Sequence, residues 1–318
     1  MTGRELVKKA VLFQGPERTP RNLPEPWGTD FLHVAIGPNP DFKPKVEGED
    51  EWGCIWEKVD ADKTMGQVKG HPLKDYALLD NFKFPDYKLD SRYVKIKNDI
   101  EGNKEQKFVL VNVQFSLIHR LEYLRGHEQA WMDPYLYPEE LGKLLDRLAD
   151  IVIGSIDKLS EMGVDGIMAY DDWGLQDRPI LSPEMFNKYF QPRYKRVYQH
   201  AHKKGMLTFL HSCGYIIDLL PGFIDAGLNV IQMDQQENMG VENLSRRFGG
   251  KICFWSPVDI QKTMITGSLD DIRKYARNLV KMLGKFNGGF IAQWYESSEA
   301  VGHSKEKIDA MSEAFTRP

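Results

Sequence analysis

The chain has 318 residues, long enough for one large α/β barrel or two ordinary domains, and its 42% hydrophobic and 28% charged residues suit a globular enzyme. A net charge of −4 shows no basic excess and argues against nucleic acid as the main partner, and no apolar run approaches the ~18 residues needed to span a bilayer. The opening Met1-Thr2-Gly3-Arg4-Glu5 lacks the apolar centre of a secretion signal, so the expected location is cytoplasmic, with Cys54, Cys213 and Cys253 kept as thiols.

Residues 1–105 hold nine of the 17 prolines, many aromatics and polar turns such as Gly37-Pro38-Asn39-Pro40. They read as irregular cap segments on one domain spanning 1–318, with no linker or fixed-period repeat. Within them Trp52-Gly53-Cys54-Ile55-Trp56 reads as a short strand, and Leu73 to Tyr87 as a helix with a proline at its exit. From residue 108 a regular alternation sets in. Phe108 to Val113 is strand-like and Leu117 to Leu124 a short helix. Pro138 to Met162 carries apolar residues at 141, 144, 145, 148, 152, 156 and 159, the spacing of an amphipathic helix. Strands follow at Gly166–Tyr170, Leu207–His211, Val230–Met233, Ile252–Trp255 and Phe290–Gln293. Helices at Pro183–Lys204, Tyr215–Ala226, Val241–Phe248 and Leu269–Leu283 come between them. Such alternation means a parallel sheet, and this many strands around one core predict a (β/α)8 TIM barrel. No Gly-x-Gly-x-x-Gly turn follows an early strand to favour an open doubly wound sheet.

In a barrel the loops after the strands form one functional face. Five strands here end in acids, polar groups or metal donors: Tyr170-Asp171-Asp172-Trp173, His211-Ser212-Cys213, Gln232-Met233-Asp234-Gln235, Ser256-Pro257-Val258-Asp259 and Gln293-Trp294-Tyr295-Glu296. His211 and Cys213 stand two apart at a strand end and so face the same way. Imidazole plus thiolate is a zinc-type donor pair, and a catalytic zinc needs three protein ligands and one open position. The alternative is a buried cysteine beside a hydrogen-bonded histidine, and the spacing leaves both open. Asp171 and Asp172 alternate faces, so one of them enters the pocket, as a general acid/base or a substrate-orienting carboxylate. A helix cap or a rim salt bridge is the competing role for either, and Asp234 carries the same two readings. Gln232 and Gln235 suit orientation of a neutral polar substrate. Trp173, Trp294 and Tyr295 suit a flat aromatic guest, or simple capping of the barrel. Cys253, among apolar neighbours, reads as a core thiol, and Cys54 as packing within the cap.

These segments carry a family resemblance. The stretch from Ala169 to Met185, with Asp171-Asp172-Trp173-Gly174 and Ser182-Pro183-Glu184-Met185, resembles the uroporphyrinogen decarboxylase superfamily. So do His211-Ser212-Cys213-Gly214, Trp255 to Gln261, and the opening Val7-Lys8-Lys9-Ala10 leading into Pro16-Glu17-Arg18-Thr19-Pro20. The resemblance runs nearly end to end and implies a (β/α)8 barrel. The superfamily includes true decarboxylases and zinc-dependent methyltransferases that work with corrinoid proteins. True decarboxylases carry an arginine-rich Arg-Gln-Ala-Gly-Arg segment for a porphyrinogen's carboxylates, where this chain reads Pro20-Arg21-Asn22-Leu23-Pro24-Glu25-Pro26-Trp27. The His-x-Cys pair matches the methylcobamide:thiol methyltransferases, in which it binds zinc and a later cysteine completes the site. Here the corresponding stretch, Ala292-Gln293-Trp294-Tyr295-Glu296, has no cysteine.

The resemblance therefore implies zinc on His211 and Cys213 with Glu296, Gln293 or an acid from another strand as third ligand, Glu296 being the residue chosen. Replacing one thiolate by a carboxylate makes a harder, more Lewis-acidic metal, matched to oxygen. An aryl methyl ether presents such an oxygen. The expected activity is O-demethylation: the methyl of a methoxylated aromatic passes to Co(I) of the cobalamin-type cofactor on a separate corrinoid protein. Asp171 or Asp172 would orient substrate or protonate the departing phenolate, and Gln232 and Asp234 would contact ring substituents. The alternatives are a methyltransferase for a thiol or methylamine, with Cys253 as third ligand, and a metal-free decarboxylase with Arg178 and Arg193 facing the pocket.

Overall fold

A computed structural model describes residues 1–58 and 66–317; residues 59–65, inside the expected cap, and residue 318 lie outside the described residues. The strands are β1 (Arg21–Asn22), β2 (Phe31–Ala35), β3 (Ile55–Glu57), β4 (Gln67–Gly70), β5 (Phe108–Asn112), β6 (Gly166–Tyr170), β7 (Leu207–His211), β8 (Val230–Gln232), β9 (Cys253–Ser256) and β10 (Phe290–Gln293). Eight of them form one sheet in the order β1-β10-β9-β8-β7-β6-β5-β2, and every neighbouring pair is parallel. The two outermost strands, β1 and β2, are consecutive in the chain, and the amide of Asp30 donates to the carbonyl of Arg21 at 2.9 Å between them. The sheet thus curls into a nearly closed (β/α)8 barrel. β3 and β4 make a separate antiparallel hairpin in the cap.

Two apolar layers hold the barrel. Inside it, Phe31, Phe108, Phe209, Val230, Cys253 and Ile291 pack with Val7 and Val11 of the helix Gly3–Val11, which plugs the N-terminal end of the strands. A Thr2/Glu5 capping box starts that helix. Each fully buried valine contributes roughly 1.5–3 kcal/mol. Cys253 is fully buried in this layer, as its neighbours in the sequence imply. Outside it, helices such as Pro138–Ser160 lay one face on the strands, burying Leu141, Leu144, Leu145, Leu148, Val152, Ile156 and Leu159.

Several elements differ from the sequence expectation. The helix expected over 73–87 is a short 3-10 helix at Tyr76–Asn81, after which Phe82 is extended. The side chain of Asp75 captures the Ala77 amide at 2.9 Å, Phe82 and Phe84 stack edge to face, and Pro85 follows, so the chain turns instead of coiling on. Of the expected Trp52–Trp56 strand only Ile55 and Trp56 pair, in a strand that runs on to Glu57. The helix expected from Tyr215 begins at Leu220, and the 183–204 helix contains a π turn at Phe186–Phe190 ahead of Pro192, which has no amide hydrogen to donate. Most consequential, the proline-rich opening supplies two barrel strands and the plug helix, so the cap proper lies after Ile36.

Candidate metal centre and active-site cavity

Parallel register sets the side chains of the mouth at one level: Tyr170 aligns with His211, His211 with Gln232, and Gln232 with Trp255. Above this rung the loops after β6 and β7 cross at two glycines. A β-carbon on Gly174 would lie 2.3 Å from the Tyr215 amide nitrogen, and one on Gly214, whose φ is +78°, would lie 2.2 Å from the Gly174 carbonyl. Only glycine permits this approach. The crossing is pinned by Gly174 N–H to the Cys213 carbonyl at 3.2 Å, Tyr215 N–H to the Leu175 carbonyl at 2.7 Å, and Trp173 N–H to Ser212 Oγ at 3.0 Å. The glycines that close Asp-Asp-Trp-Gly and His-Ser-Cys-Gly thus bring Asp172 against Cys213, whose amide donates to Asp172 Oδ1 at 2.7 Å.

Three donor atoms converge there. His211 Nε2 lies 3.3 Å from Cys213 Sγ and 3.3 Å from Asp172 Oδ1. Asp172, His211 and Cys213 can each turn a ligand atom to within 4.8 Å of the other two. Zinc bonds of about 2.0–2.3 Å at tetrahedral angles place ligand atoms about 3.3–3.8 Å apart, so the donor set and its spacing fit zinc. His211 Nδ1 is engaged by a short contact with Gln232 Oε1, and Gln232 Nε2 donates to Asp234 Oδ1 at 2.7 Å. That chain fixes the ring so that Nε2 faces the other two donors, as outer partners of metal-bound histidines do.

The electrostatics of the metal-free cluster follow from its packing. Burial pushes Asp172 up, but the hydrogen bond and charge of His211, with His119 and the Cys213 amide, outweigh it and hold the carboxyl at about 2. Burial works against charge on His211, yet Asp172 and Cys213 raise its pKa well above 6.5. Burial also raises Cys213 and Asp234. A metal held there would displace the protons of the His211 Nε2 and Cys213 Sγ that ligate it.

A cavity of about 330 Å³ opens beside the cluster, lined among others by Asn22, His33, Tyr170, Trp255, Tyr295 and Glu296. Trp255 stacks on Phe31 with centroids 4.9 Å apart and lies 5.9 Å from the His33 ring, so these rings form an aromatic wall reaching down from the cavity. Across the mouth, Asn22 Nδ2 donates to Gln293 Oε1 at 3.3 Å and to Glu296 Oε1 at 3.4 Å.

The structure sorts the residues singled out in the sequence. His211, Cys213, Asp172, Gln232 and Asp234 come together, and Tyr295 and Glu296 face them from the cavity's other side. Glu296 is outside the three-donor cluster, and Asp172 takes the third place. Asp171 points away from the cavity and is fully buried. Its carboxylate accepts from the amides of Leu117, Ile118 and His119 at 2.7–3.1 Å, from Ser116 Oγ at 3.0 Å, and from the Tyr194 hydroxyl. It thereby caps the helix Ile118–Arg125 from a neighbouring loop, the competing role read for it. Trp173 is likewise fully buried, against Phe186, Phe190 and Phe223, with its indole N–H on the Tyr194 hydroxyl at 3.0 Å, and so does not stand at the mouth. Trp294 packs against the outer core, not in the cavity lining. Sequence reasoning passed over His33, Trp255 and Asn22 and gave Tyr170 no role beyond its place at a strand end; strand alternation in β2 and β9 could have marked the first two.

Among the described residues no lysine or arginine lines this cavity. Arg193 is held by Asp146 at 2.9 and 3.0 Å, and Arg178 lies beside Asp177. Cys253 lies among the barrel's inner apolar side chains, outside the donor cluster. No helix is long and apolar enough to cross a membrane among the described residues.

Comparison with known proteins bears on what such a mouth does. A family model described as uroporphyrinogen decarboxylase (URO-D) matches residues 116–316. A uroporphyrinogen decarboxylase of Pseudoalteromonas translucida is 25% identical over 162 residues, which are 48% of this chain and 41% of that protein. The methylcobamide:CoM methyltransferase MtbA of Methanosarcina mazei is 26% identical over 193 residues, 58% of this chain and 54% of that protein. The chain thus spans about half the length of the curated relatives it matches. A solved structure of a methyltransferase from Methanosarcina mazei superposes with a TM-score of 0.73 over 99% of this chain and 98% of that one, at 17% identity, a likeness of fold.

Proposed function

The chain belongs to the uroporphyrinogen decarboxylase family, and from that premise we propose that it is the substrate-side methyltransferase of an O-demethylase pair. In this reading it moves the methyl group of a methoxylated arene to Co(I) of a partner corrinoid protein. The observation that carries it is the meeting of Asp172 Oδ1, His211 Nε2 and Cys213 Sγ at one point beside an aromatic-walled cavity. One thiolate, one imidazole and one carboxylate make a harder donor set than two thiolates and an imidazole, and so favour an oxygen substrate over a thiol. The lack of cationic lining speaks against a substrate with many carboxylates.

Asp172, His211 and Cys213 would hold zinc, with Gln232 and Asp234 fixing the imidazole. Zinc bound there supplies Lewis acidity towards the ether oxygen. Trp255, His33, Tyr170 and Tyr295 would enclose the arene. In the overall step the methyl carbon–oxygen bond breaks, a carbon–cobalt bond forms on the partner's corrinoid, Co(I) gives up two electrons to it, and the phenolate oxygen takes a proton. Asp234, whose carboxyl burial pushes up, lines the cavity and is placed to hold that proton. The test is transfer from a guaiacol-type ether to free cob(I)alamin, followed by loss of the Co(I) spectrum and appearance of the phenol. Turnover by zinc-loaded protein, absent in Cys213→Ser, is expected; no demethylation by fully zinc-loaded protein would overturn the reading.

A further inference from the structure

A second cavity, of about 600 Å³, lies away from the mouth, on the outside of the barrel near the N-terminal end of β10. It is formed by the segment leading into β1, the helix Leu269–Leu283 and the end of the helix Lys305–Thr316. β1 runs into β2 through a turn instead of a helix. Strand alternation turns Asn22 to the mouth cavity and Arg21 to this outer one.

Charge is unbalanced there. Arg18, Arg21, Arg277 and Lys281 line the cavity with one acid, Glu17, which is taken by the N-terminal ammonium at 2.9 Å. Arg18 is paired in a fork with Asp30 at 2.6 and 2.8 Å. The side chains of Arg21, Arg277 and Lys281 have no acidic partner among the described residues. Arg21 is half-buried, and burial together with its neighbour Arg18 lowers its pKa. Asp30, which is already in the fork with Arg18, offsets this only in part, and an anion would relieve a half-buried guanidinium set next to a second one. The floor is apolar, with Val280, Phe290 and Phe315 beneath the cationic rim.

We propose that this outer cavity is a binding site for a small organophosphate, a phosphate monoester on an apolar body. A phosphate monoester carries about 1.5–2 negative charges and three acceptor oxygens, matching three unpaired cations, whereas a carboxylate supplies only one charge. The apolar floor calls for an organic body, and the volume falls in the range of about 300–1,000 Å³ that small-ligand sites occupy. The site is separate from the metal cluster and does not rest on the methyl-transfer reading.

The test is calorimetric titration of the full chain with phenyl phosphate, beside benzoate and inorganic phosphate. Saturable binding of phenyl phosphate is expected, at least tenfold tighter than either of the others. It should weaken at least tenfold in the double variant Arg21→Gln/Arg277→Gln and be unchanged in His211→Ala. Should the strand substitution prevent folding, Arg277→Gln/Lys281→Gln, both on an exposed helix face, is expected to weaken binding several-fold. Binding undiminished in a folded cation variant, benzoate binding as tightly as phenyl phosphate, or no saturable binding to the unmodified chain would overturn the proposal.

Discussion

On the β6–β7 side of the mouth each loop holds the other through Cys213 N–H on Asp172, Trp173 N–H on Ser212 and two glycines in mutual contact, and the loop after β8 adds Gln235 Oε1, which accepts from Gly214 N–H at 2.6 Å. On the β10 side, the side chains of Gln293 and Glu296 are tied across the mouth by Asn22, through contacts of 3.3 and 3.4 Å. The first half has the fixed geometry that metal donors need, since ligand positions must hold to within about 0.5 Å. The second is held by fewer and longer hydrogen bonds. The contrast sharpens at two adjacent acids: Asp171 faces inward and holds a helix, whereas Asp172, one residue on, turns to the donor cluster and meets His211.

Substitutions should separate the two halves, and the two acids within the first. The largest effect expected is on folding. Asp171→Ala leaves several buried donors unanswered at about 1–3 kcal/mol each, so a loss of at least about 4 kcal/mol is expected in urea unfolding. Asp172→Ala should cost no more than about 1–2 kcal/mol on the same scale; equal losses would erase the distinction. Next in size, Asp172→Asn should weaken zinc about 100-fold, or about 2.7 kcal/mol, in competition with a chromophoric chelator. Gln232→Leu, which frees His211 Nδ1, should weaken zinc about tenfold by the same assay. The smallest effect belongs to the looser half: Glu296→Gln should leave zinc affinity within about twofold while altering the KM for the ether. A loss comparable to that of Asp172→Asn would move the third ligand back to β10.

How far the sequence revealed this depended on whether the deciding physics was local. From Phe108 onward, strands buried on both faces are short apolar runs and the helices show their buried stripe, so strand–helix alternation was readable. The N-terminal barrel strands were not: β1 is two residues long among prolines, and its place is set by β10, some 270 positions away. The His211/Cys213 pair was legible because strand spacing alone puts both on one face. Their third partner was not, because Asp172 reaches them only through the crossing of Gly174 and Gly214. The choice of Glu296 came from the position of a relative's cysteine, and nothing local distinguished the capping Asp171 from its neighbour. Strand alternation could set His33 and Trp255 each on a face, but not show that they share one wall, since residues 222 positions apart meet only once the barrel closes.

The most direct measurement is the zinc content of the purified chain beside His211→Ala, Cys213→Ser, Asp172→Ala and Glu296→Gln, with folding checked by circular dichroism. About one zinc per chain is expected in the unmodified protein and in Glu296→Gln, with loss in the other three. A folded, unmodified chain that takes up no zinc on reconstitution, or one that keeps it without Asp172, would contradict the account.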